Sequence, residues 1–497
     1  MMKIGLVGGG ASAVCFIDAL VQSNEAPGSL TIFDPADRLW RGRPYRDDLL
    51  SVRLNSRADD MSVRLGDDAH FQRWLRAQGN CAEFLPRAVY GDYLAATAET
   101  GIAELRRIGW QVEIVHQAVV GAFRVGRELV LYTDDGLHKP VDHTILAVGG
   151  GPPSDCYGLA GEHRFIGDPF PLRESLSVIG SDDSVAVLGS GLTAVDVVLG
   201  LDAIGHRGRV SMVSRSGALP AVRQQPIDFE PTHLLAASIH SLAHRTGGIS
   251  FSQIVDLIEH ELSDMHADLF EVIGEVAAVA HEPIAQRLRR QLEAVESSKI
   301  AMRILQKALP MAGPDLWPLL ADDLRQKILG RYKRMFMSLC CPMPPGNAQV
   351  LLGLMASGRL DVVDRLESVE PASGGFLISA GGTGYFADHV INGVAAPAHR
   401  IPLRAKRLVE SLYDEGLAVP HQDGGLCVQF GSSLCNGVRR GGESSHIPGV
   451  YALGDIAAGT FFFTFGITSI VDRCRDILGD IVARHSEKHE GKRSHAS

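Results

Sequence analysis

The chain has no long apolar run and no surplus of positive charge. No stretch approaches the 18 or more apolar residues that a membrane-spanning helix requires. The formal net charge of -10 argues against a generic surface for nucleic acid or anionic lipid. Near the N-terminus, Gly8-Gly9-Gly10 would make a poor core for a signal peptide. These absences predict a cytoplasmic protein without membrane or nucleic-acid partners.

The cysteines lack the spacing of a functional cluster. Eight are present, but they show neither a disulfide framework nor a zinc pattern, and no C-x-x-C or C-x-x-x-x-C occurs. Cys340 and Cys341 are adjacent, and we interpret them as small buried apolar residues rather than a redox couple. We therefore expect neither a metal site nor a redox-active dithiol.

Glycine, in contrast, is plentiful. The 497 residues include 54 glycines, which fits a chain with many backbone turns near ligands. The composition, 45% apolar and 21% charged, is that of a globular protein. The length is sufficient for two or three domains.

Two glycine-rich fingerprints are the most informative motifs. They span residues 3–13 and 184–194, and each has a short apolar strand, a G-x-G-x-x-A turn and the start of an amphipathic helix. The first glycine permits the tight turn, the second lets the backbone approach a pyrophosphate, and the alanine lets the helix pack on the strand. The pyrophosphate then lies at the positive end of the helix. The predicted cofactor-binding residues of the two turns are Gly8, Gly10, Ala13, Gly189, Gly191 and Ala194.

The residue after the next strand differs between the fingerprints. Asp34 ends the first unit, and its carboxylate can accept hydrogen bonds from ribose hydroxyls. Ser214 and Arg215 end the second, where a hydroxyl and a guanidinium bind a 2'-phosphate that a carboxylate would repel. Arg223 is a further candidate there. The alternative for the first fingerprint is a glycine turn that binds no ligand. The alternative for Arg215 is a solvated arginine on the surface. Because Asp34 and Arg215 have opposite charges, the two fingerprints are predicted to bind two different dinucleotides. The second fingerprint is predicted to favour NADPH over NADH.

Apolar periodicity elsewhere predicts an alternating α/β chain with one helical block. Strands at 110–115, 117–125 and 128–133 are typical of a small antiparallel meander. The chain is almost wholly helical from Pro231 to about Ser338. Residues 349–394 return to strands and turns.

Two glycine turns follow buried strands outside the fingerprints. Gly149 begins a Gly-Gly-Gly-Pro-Pro turn that brings the backbone close to a ligand. Gly454-Asp455 follows the strand Val450-Tyr-Ala-Leu453. Alone, that dipeptide is a common turn. Beside an N-terminal flavin-type fingerprint, its carboxylate can hold the ribityl hydroxyls of FAD.

With these motifs the chain resembles the two-dinucleotide-binding-domain flavoproteins, within the FAD/NAD(P)-binding group related to amine N-hydroxylating and other class B flavin monooxygenases. The resemblance covers most of residues 1–226 and 350–482. It rests on the two fingerprints and on the segments 55–61, 70–75, 86–94, Asp168-Pro169 and Gly454-Asp455. It implies FAD on the first unit and NADPH on the second, with Asn55 and Met61 near the flavin.

The chain also departs from that family. The F-x-G-x-x-x-H-x-x-x-[YF] signature is missing before the second fingerprint, and residues 388–394 replace the F-A-T-G-Y segment of many N-hydroxylases. The helical block is poorly covered by the resemblance.

The resemblance implies an α/β fold class with two Rossmann-like domains, of glutathione-reductase-like type, and an inserted all-helical subdomain. The FAD-binding domain is predicted at 1–175 and 399–484, and the NADPH-binding domain at 176–230 and 339–398. The helical insertion is predicted at 231–338 and a disordered tail at 485–497.

The predicted function is that of an NADPH-dependent FAD monooxygenase. NADPH reduces the flavin, and a C4a-(hydro)peroxyflavin formed with dioxygen oxygenates a small molecule, by N-hydroxylation of an amine or amino acid. The alternative is an FAD-dependent NAD(P)H oxidoreductase of quinone or diaphorase type without oxygen insertion. A flavin-binding regulatory or assembly protein is a third class. The missing cysteine pair argues against a disulfide reductase.

Catalytic candidates lie in segments predicted to border the flavin. They are Arg57, Asp60 and Arg87. Arg87 would orient the nicotinamide or a substrate carboxylate by bidentate pairing, and a structural ion pair is its alternative role. The helical block would cap the substrate site or provide a face for a homo-oligomer.

Overall fold

The computed structural model describes residues 1–126, 128–394, 401–437, 448–464 and 466–494. The chain divides into two compact units. Unit 1 comprises Met1–Arg46, Arg57–Gly151 and Pro397–Ser497, and unit 2 comprises Asp47–Ser56 and Pro152–Ala396. Residues 152–175, predicted with the FAD-binding domain, therefore cluster with unit 2. The predicted boundary at 398/399 lies outside the described residues.

The strands alternate with helices over most of the chain. The strands are β1 Lys3–Val7, β2 Ser29–Phe33, β3 Gln111–Val115, β4 Val119–Val125, β5 Glu128–Thr133, β6 His138–Val141, β7 His143–Leu146, β8 Phe165–Ile166, β9 Val185–Leu188, β10 Val210–Val213, β11 Leu360–Val363, β12 Leu366–Ala372, β13 Gly375–Ala380, β14 Thr383–Ala387, β15 His389–Asn392 and β16 Gly449–Ala452. The helices are α1 Ala11–Gln22, α2 His70–Ala77, α3 Arg87–Arg107, α4 Leu172–Ser175, α5 Leu192–Ala203, α6 Ala236–Thr246, α7 Phe251–Asp264, α8 Leu269–His281, α9 Ile284–Ala294, α10 Ala301–Leu316, α11 Asp322–Lys327, α12 Lys333–Cys340, α13 Pro345–Ala356, α14 Lys406–Asp414, α15 Ala458–Phe461 and α16 Ile467–Ser494.

Unit 1 is built on a five-stranded parallel sheet. Its strand order is β16-β7-β1-β2-β3, and β1 lies at the centre with β2 and β7 on either side. The inner strands are almost wholly buried, as expected where helices cover both faces of a parallel sheet. Helix α1 packs against α3 and α16. Strands β4, β5 and β6 form a separate antiparallel sheet that shares an apolar core with α14.

Unit 2 repeats the parallel arrangement. The order β11-β10-β9-β15-β8 again places the fingerprint strand, β9, at the centre. Strands β12, β13 and β14 form its antiparallel sheet. Helices α6 to α12 follow β10, and a π-helical turn at Ile328–Tyr332 joins α11 to α12.

Three local expectations differ from the structure. The strand predicted at 110–115 is β3, which pairs in parallel with β2 instead of joining the meander. As an edge strand, β3 alternates exposed and covered residues, which mimics an antiparallel pattern. Residues 349–356, predicted to begin the strands and turns, belong instead to α13, which starts at Pro345. Helix α16 continues to Ser494, so helical backbone replaces the predicted disorder over 485–494.

The predicted fold class is confirmed. The chain has two parallel five-stranded sheets of Rossmann type and a run of helices after β10. Among the described residues, no helix is long and apolar enough to cross a membrane.

Candidate functional site

In unit 1, the first glycine loop joins β1 to α1. Gly8 has φ +109, and a Cβ there would lie 2.2 Å from the carbonyl oxygen of Ala147. The Gly8 amide donates to Phe33 O at 2.8 Å, which ties the loop to the end of β2. Gly10 is the N-cap of α1, and Ala13 is buried in its first turn. The loop amides and the helix N-terminus therefore form a site for a phosphate group.

Asp34 lies at the end of β2, beside this loop. Its Oδ2 accepts a hydrogen bond from the Gly9 amide at 2.7 Å, and its Oδ1 accepts one from the Ala36 amide at 2.9 Å. Each carboxylate oxygen can accept a second hydrogen bond. Asp34 is half-buried, so this capacity is accessible to ribose hydroxyls.

Asp455 is the second carboxylate of unit 1 that was predicted to bind FAD, and it follows β16. Its Oδ1 accepts a hydrogen bond from Thr464 Oγ1 at 3.3 Å. Burial raises the pKa of Asp455 to about 6, and the Thr464 hydroxyl opposes that rise. A Cβ at Gly150 would lie 2.4 Å from Asp455 Oδ2, so a side chain at this position would displace the carboxylate from the 149–151 turn.

Other predicted flavin-side residues are divided between the units. Met61 is buried in unit 1, and its carbonyl accepts a hydrogen bond from Tyr90 Oη at 2.8 Å. Gly149 lies in the turn that also carries Gly150. Asn55, in contrast, clusters with unit 2, where its carbonyl accepts a hydrogen bond from Arg223 Nε at 2.5 Å.

The three predicted catalytic residues all lie in unit 1. Arg57 is ion-paired with Asp59 and Glu83, which gives it a structural role beside the predicted catalytic one. The Asp60 carbonyl accepts a hydrogen bond from Thr468 Oγ1 at 3.4 Å, and its side chain is exposed. Arg87 begins α3. The catalytic assignment of all three stays a prediction.

In unit 2, the second glycine loop has the same backbone design. Gly189 has φ +105, and its amide donates to Val213 O at 2.7 Å. A Cβ on Gly189 would lie 3.0 Å from Gly393 O, after β15. Gly191 is the N-cap of α5, and Ala194 is buried in its first turn.

Hydroxyls and cations surround this second loop. Ser190 Oγ lies 3.0 Å from Ser214 Oγ, and Ser214 Oγ accepts a hydrogen bond from the Gly217 amide at 2.9 Å. Arg334, in the helical block, donates from Nη2 to Ser190 Oγ at 2.7 Å. Arg215 follows Ser214 with an exposed side chain.

Both sites fit a dinucleotide. Each has a loop that a Cβ would obstruct, followed by a helix N-terminus, which is the arrangement that receives a diphosphate. The carboxylates Asp34 and Asp455 suit the hydroxyl groups of a flavin dinucleotide. Ser214 and Arg215 suit a phosphorylated ribose. The fold and these two loops are typical of the class of proteins that bind two dinucleotides.

The family comparison agrees with this class. Residues 5–151 match a family model described as FAD-NAD(P)-binding. This similarity, over residues 5–151, agrees with the resemblance and with the oxidoreductase class predicted from the sequence. A comparison with curated protein sequences gives no match.

Solved structures share the fold over almost the whole chain. The ornithine N-hydroxylase of Kutzneria sp. 744 superimposes with a TM-score of 0.56 at 12% identity, covering 98% of this chain and 100% of that one. The L-lysine 6-monooxygenase of Pseudomonas syringae gives 0.54 at 13% identity, with 97% and 100% covered. The bacillithiol disulfide reductase of Bacillus cereus gives 0.51 at 12% identity, with 97% and 99% covered. Such identities establish the fold, and this fold serves both oxygenases and reductases.

Sequence reasoning missed two contributors to these sites. Gly150 was part of a predicted glycine turn, but its approach to Asp455 brings together residues far apart in the chain. Arg334 had no signal, because it lies in a helical block without a nucleotide motif.

Proposed function

We propose that this protein is an NADPH-dependent FAD monooxygenase that hydroxylates the nitrogen of a small amine or amino acid. In that reaction NADPH, a proton, dioxygen and an amine give NADP+, water and a hydroxylamine. FAD, when bound, supplies the electron transfer and the reaction with dioxygen. The chain supplies binding, orientation and electrostatics.

The observation that carries the proposal is the difference in charge between two loops of the same backbone design. Asp34 closes the loop of unit 1, whereas Ser214 and Arg215 close the loop of unit 2. A carboxylate repels a 2'-phosphate and a guanidinium attracts one, so the two loops suit different dinucleotides. A chain that binds FAD and NADPH together can pass electrons from one to the other.

Each cofactor would be held by residues of one unit. In unit 1, the amides at the start of α1 would bind the FAD diphosphate, Asp34 a ribose, and Asp455 the ribityl chain. In unit 2, α5 would bind the NADPH diphosphate, and Ser214 with Arg215 the 2'-phosphate.

The state of the cysteines favours dioxygen over a disulfide as the electron acceptor. All eight thiols are free. Burial raises the pKa of Cys340 well above its ordinary value and that of Cys341 to about 12. Because the thiolate is the reactive form in disulfide exchange, this adjacent pair is poorly suited to it.

The fold neighbours guide the choice of substrate. Two of those described above are N-hydroxylases or monooxygenases of ornithine and lysine, and the Kutzneria enzyme was solved with reduced FAD, NADP+ and L-ornithine. An amine-bearing substrate is thus a fold-level analogy that experiment has to test.

The test is an NADPH-oxidation screen of the FAD-loaded protein against amines and amino acids. Dioxygen uptake is measured, and the masses of the products are determined by mass spectrometry after reaction under ¹⁸O₂. We expect substrate-dependent NADPH oxidation and a product heavier by one ¹⁸O atom. The Cys340→Ala/Cys341→Ala variant should keep this activity.

Other outcomes would favour the competing functions. Rapid reduction of quinones without label in any product would overturn oxygen insertion and favour the diaphorase alternative. Loss of turnover in the double cysteine variant, with FAD content unchanged, would point to a dithiol route.

A further inference from the structure

One side chain of the helical block of unit 2, that of Arg334, contacts the second glycine loop. Arg334 lies in the first turn of α12, after the π-helical turn. Its Nη2 donates to Ser190 Oγ at 2.7 Å and to Ala218 O at 3.2 Å. Ser190 Oγ in turn donates to Ala218 O at 2.9 Å. These bonds fix the guanidinium against the middle residue of the loop.

The other nitrogen of that guanidinium faces the start of α5. A Cβ placed on Gly191 would lie 3.5 Å from Arg334 Nη1. Gly191 is the second glycine of the fingerprint and the N-cap of the 12-residue helix α5. In this motif the second glycine is the residue whose backbone approaches the diphosphate. Arg334 Nη1 is therefore placed where the diphosphate of a dinucleotide passes.

Two arginines near the loop, Arg334 and Arg215, lack an acidic partner among the described residues. Burial lowers the pKa of Arg334, and the nearby Arg215 lowers it further. A guanidinium whose charge is disfavoured by burial and by a second cation is stabilised by an anion bound beside it.

We propose that Arg334 binds the diphosphate of the dinucleotide, while Arg215 binds the 2'-phosphate. The inference rests on the proposed binding of NADPH to unit 2 and assigns each phosphate to its own arginine. Arg334 then sets affinity for any dinucleotide, and Arg215 sets the preference for the phosphorylated one. The helical block thereby contributes directly to cofactor binding.

The test compares three ligands by titration calorimetry of the full-length, FAD-loaded protein. NADP+ carries both phosphate groups, NAD+ carries only the diphosphate, and 2'-AMP carries only the 2'-phosphate. We expect Arg334→Gln to lower the affinity for NADP+ and NAD+ about tenfold or more. The affinity for 2'-AMP should stay within about twofold of the wild-type value. We expect Arg215→Gln to weaken NADP+ and 2'-AMP and to leave NAD+ unchanged.

The matched control removes a positive charge from the same helical run. Lys327 is exposed and ion-paired with Asp323, so Lys327→Gln should leave all three affinities unchanged. Unfolding temperatures show whether each variant is folded. If Arg334→Gln unfolds, Arg334→Lys takes its place: it keeps the charge but loses the planar pair of donors, so NAD+ affinity should fall severalfold with 2'-AMP unaffected.

The outcomes separate this inference from the proposed function. A wild-type protein that binds NADP+ but is insensitive to Arg334→Gln overturns the inference and leaves the function standing. Loss of 2'-AMP binding in Arg334→Gln would reassign the residue to the 2'-phosphate and overturn it as well. A wild-type protein that binds neither NADP+ nor NAD+ overturns both.

Discussion

The two glycine loops have matching backbones and opposite surroundings. In each, the first glycine has a positive φ and donates its amide to the end of the neighbouring strand, Phe33 O in one and Val213 O in the other. The middle residue differs. Gly9 donates its amide to the carboxylate of Asp34, whereas the Ser190 hydroxyl meets Ser214 and Arg334.

This comparison separates the features that bind any diphosphate from the features that select one dinucleotide over another. The strand-loop-helix unit provides amides and a helix N-terminus, which suit any diphosphate. The sign of the charge at the strand end, together with the partner of the middle loop residue, decides which dinucleotide is favoured. A test of the comparison therefore changes one of these features at a time.

The largest effect is expected from Gly8→Ala. The new Cβ would lie 2.2 Å from Ala147 O at a positive φ, so we expect a loss of more than about 3 kcal/mol in unfolding free energy and loss of FAD. Gly189→Ala meets Gly393 O at 3.0 Å and should cost about 1–2 kcal/mol. Urea unfolding measures both.

The control for that pair is Gly136→Ala. Gly136 has φ +88, and a Cβ added there would have no atom within 4 Å. It isolates the cost of the backbone conformation, about 1 kcal/mol. Equal losses in Gly8→Ala and Gly136→Ala would contradict the steric argument.

The second effect is the pH dependence that Asp455 gives to stability. Its pKa in the folded protein is about 6, against an ordinary value of 3.8, so the folded state disfavours the charged form. Below pH 3.8 the carboxyl is neutral in both states and costs nothing. As pH rises from 3.8 to about 6, the unfolded state ionises first and the folded state loses about 2–3 kcal/mol of stability, at 1.36 kcal/mol per pKa unit. Above that range the loss is constant.

Asp455→Asn should remove this loss. In FAD-free protein, the stability of this variant relative to wild type should increase from about pH 4 to about pH 6 and then stay level to pH 8, as measured by urea unfolding. Asp134→Asn, at an exposed position, is the control and should show no such trend. A constant difference across this range would mean that Asp455 is not the source.

The third effect tests the role of the Asp34 carboxylate beside the glycine loop of unit 1. Asp34→Ala removes the acceptor of the Gly9 amide and the predicted ribose ligand, so FAD affinity should fall about 10- to 100-fold. NADP+ affinity should be unchanged. Fluorescence titration of the FAD-free protein measures the first, and Asp37→Ala, at an exposed position nearby, is its control. Equal loss of both ligands would break the assignment of one ligand to each loop.

The smallest effect comes from exchanging the middle loop residues. Ser190→Gly loses the bonds to Arg334 and Ala218, at a cost of about 1 kcal/mol. Gly9→Ser brings a Cβ to 3.0 Å from Leu39 Cδ2 and 3.1 Å from Asp34 Cβ, which a small shift relieves at a similar cost. Thermal unfolding measures both changes, and a gain in stability from either exchange would contradict the proposed roles.

The sequence predicted the parts of the fold that depend on local patterns. Strands β1 and β9 and helices α1 and α5 were recognised because an apolar run, a glycine turn and a helical period follow each other directly. Strand β16 was recognised as an apolar run before Gly454-Asp455. Strand β3 was misassigned because sheet membership depends on its neighbour β2, far away in the chain. Helix α13 was missed because Pro344-Pro345-Gly346 is also typical of a turn.

The same limit applies to the sites. Asp34 and Arg215 follow their glycine loops at a spacing that the motif itself provides. Arg334 reaches its loop from a helix more than a hundred residues later, and nothing in a helical pattern reveals which loop a side chain meets. Motif spacing thus predicts the ligands of a loop, but contacts made by tertiary packing require coordinates.

The strand order of unit 1 has a consequence during synthesis. Strand β7 lies between β1 and β16, and Thr144 pairs with Val450, so β7 waits for a partner that is made roughly 300 residues later. At about 5–20 residues per second, the ribosome needs about 15–60 s for that length. Meanwhile β7 is an unpaired edge, open to wrong pairing. The strands of the second sheet, between 165 and 392, are all synthesised within this interval. Asp455 follows β16 directly, so the nascent chain acquires its second flavin-side carboxylate only as this edge becomes covered.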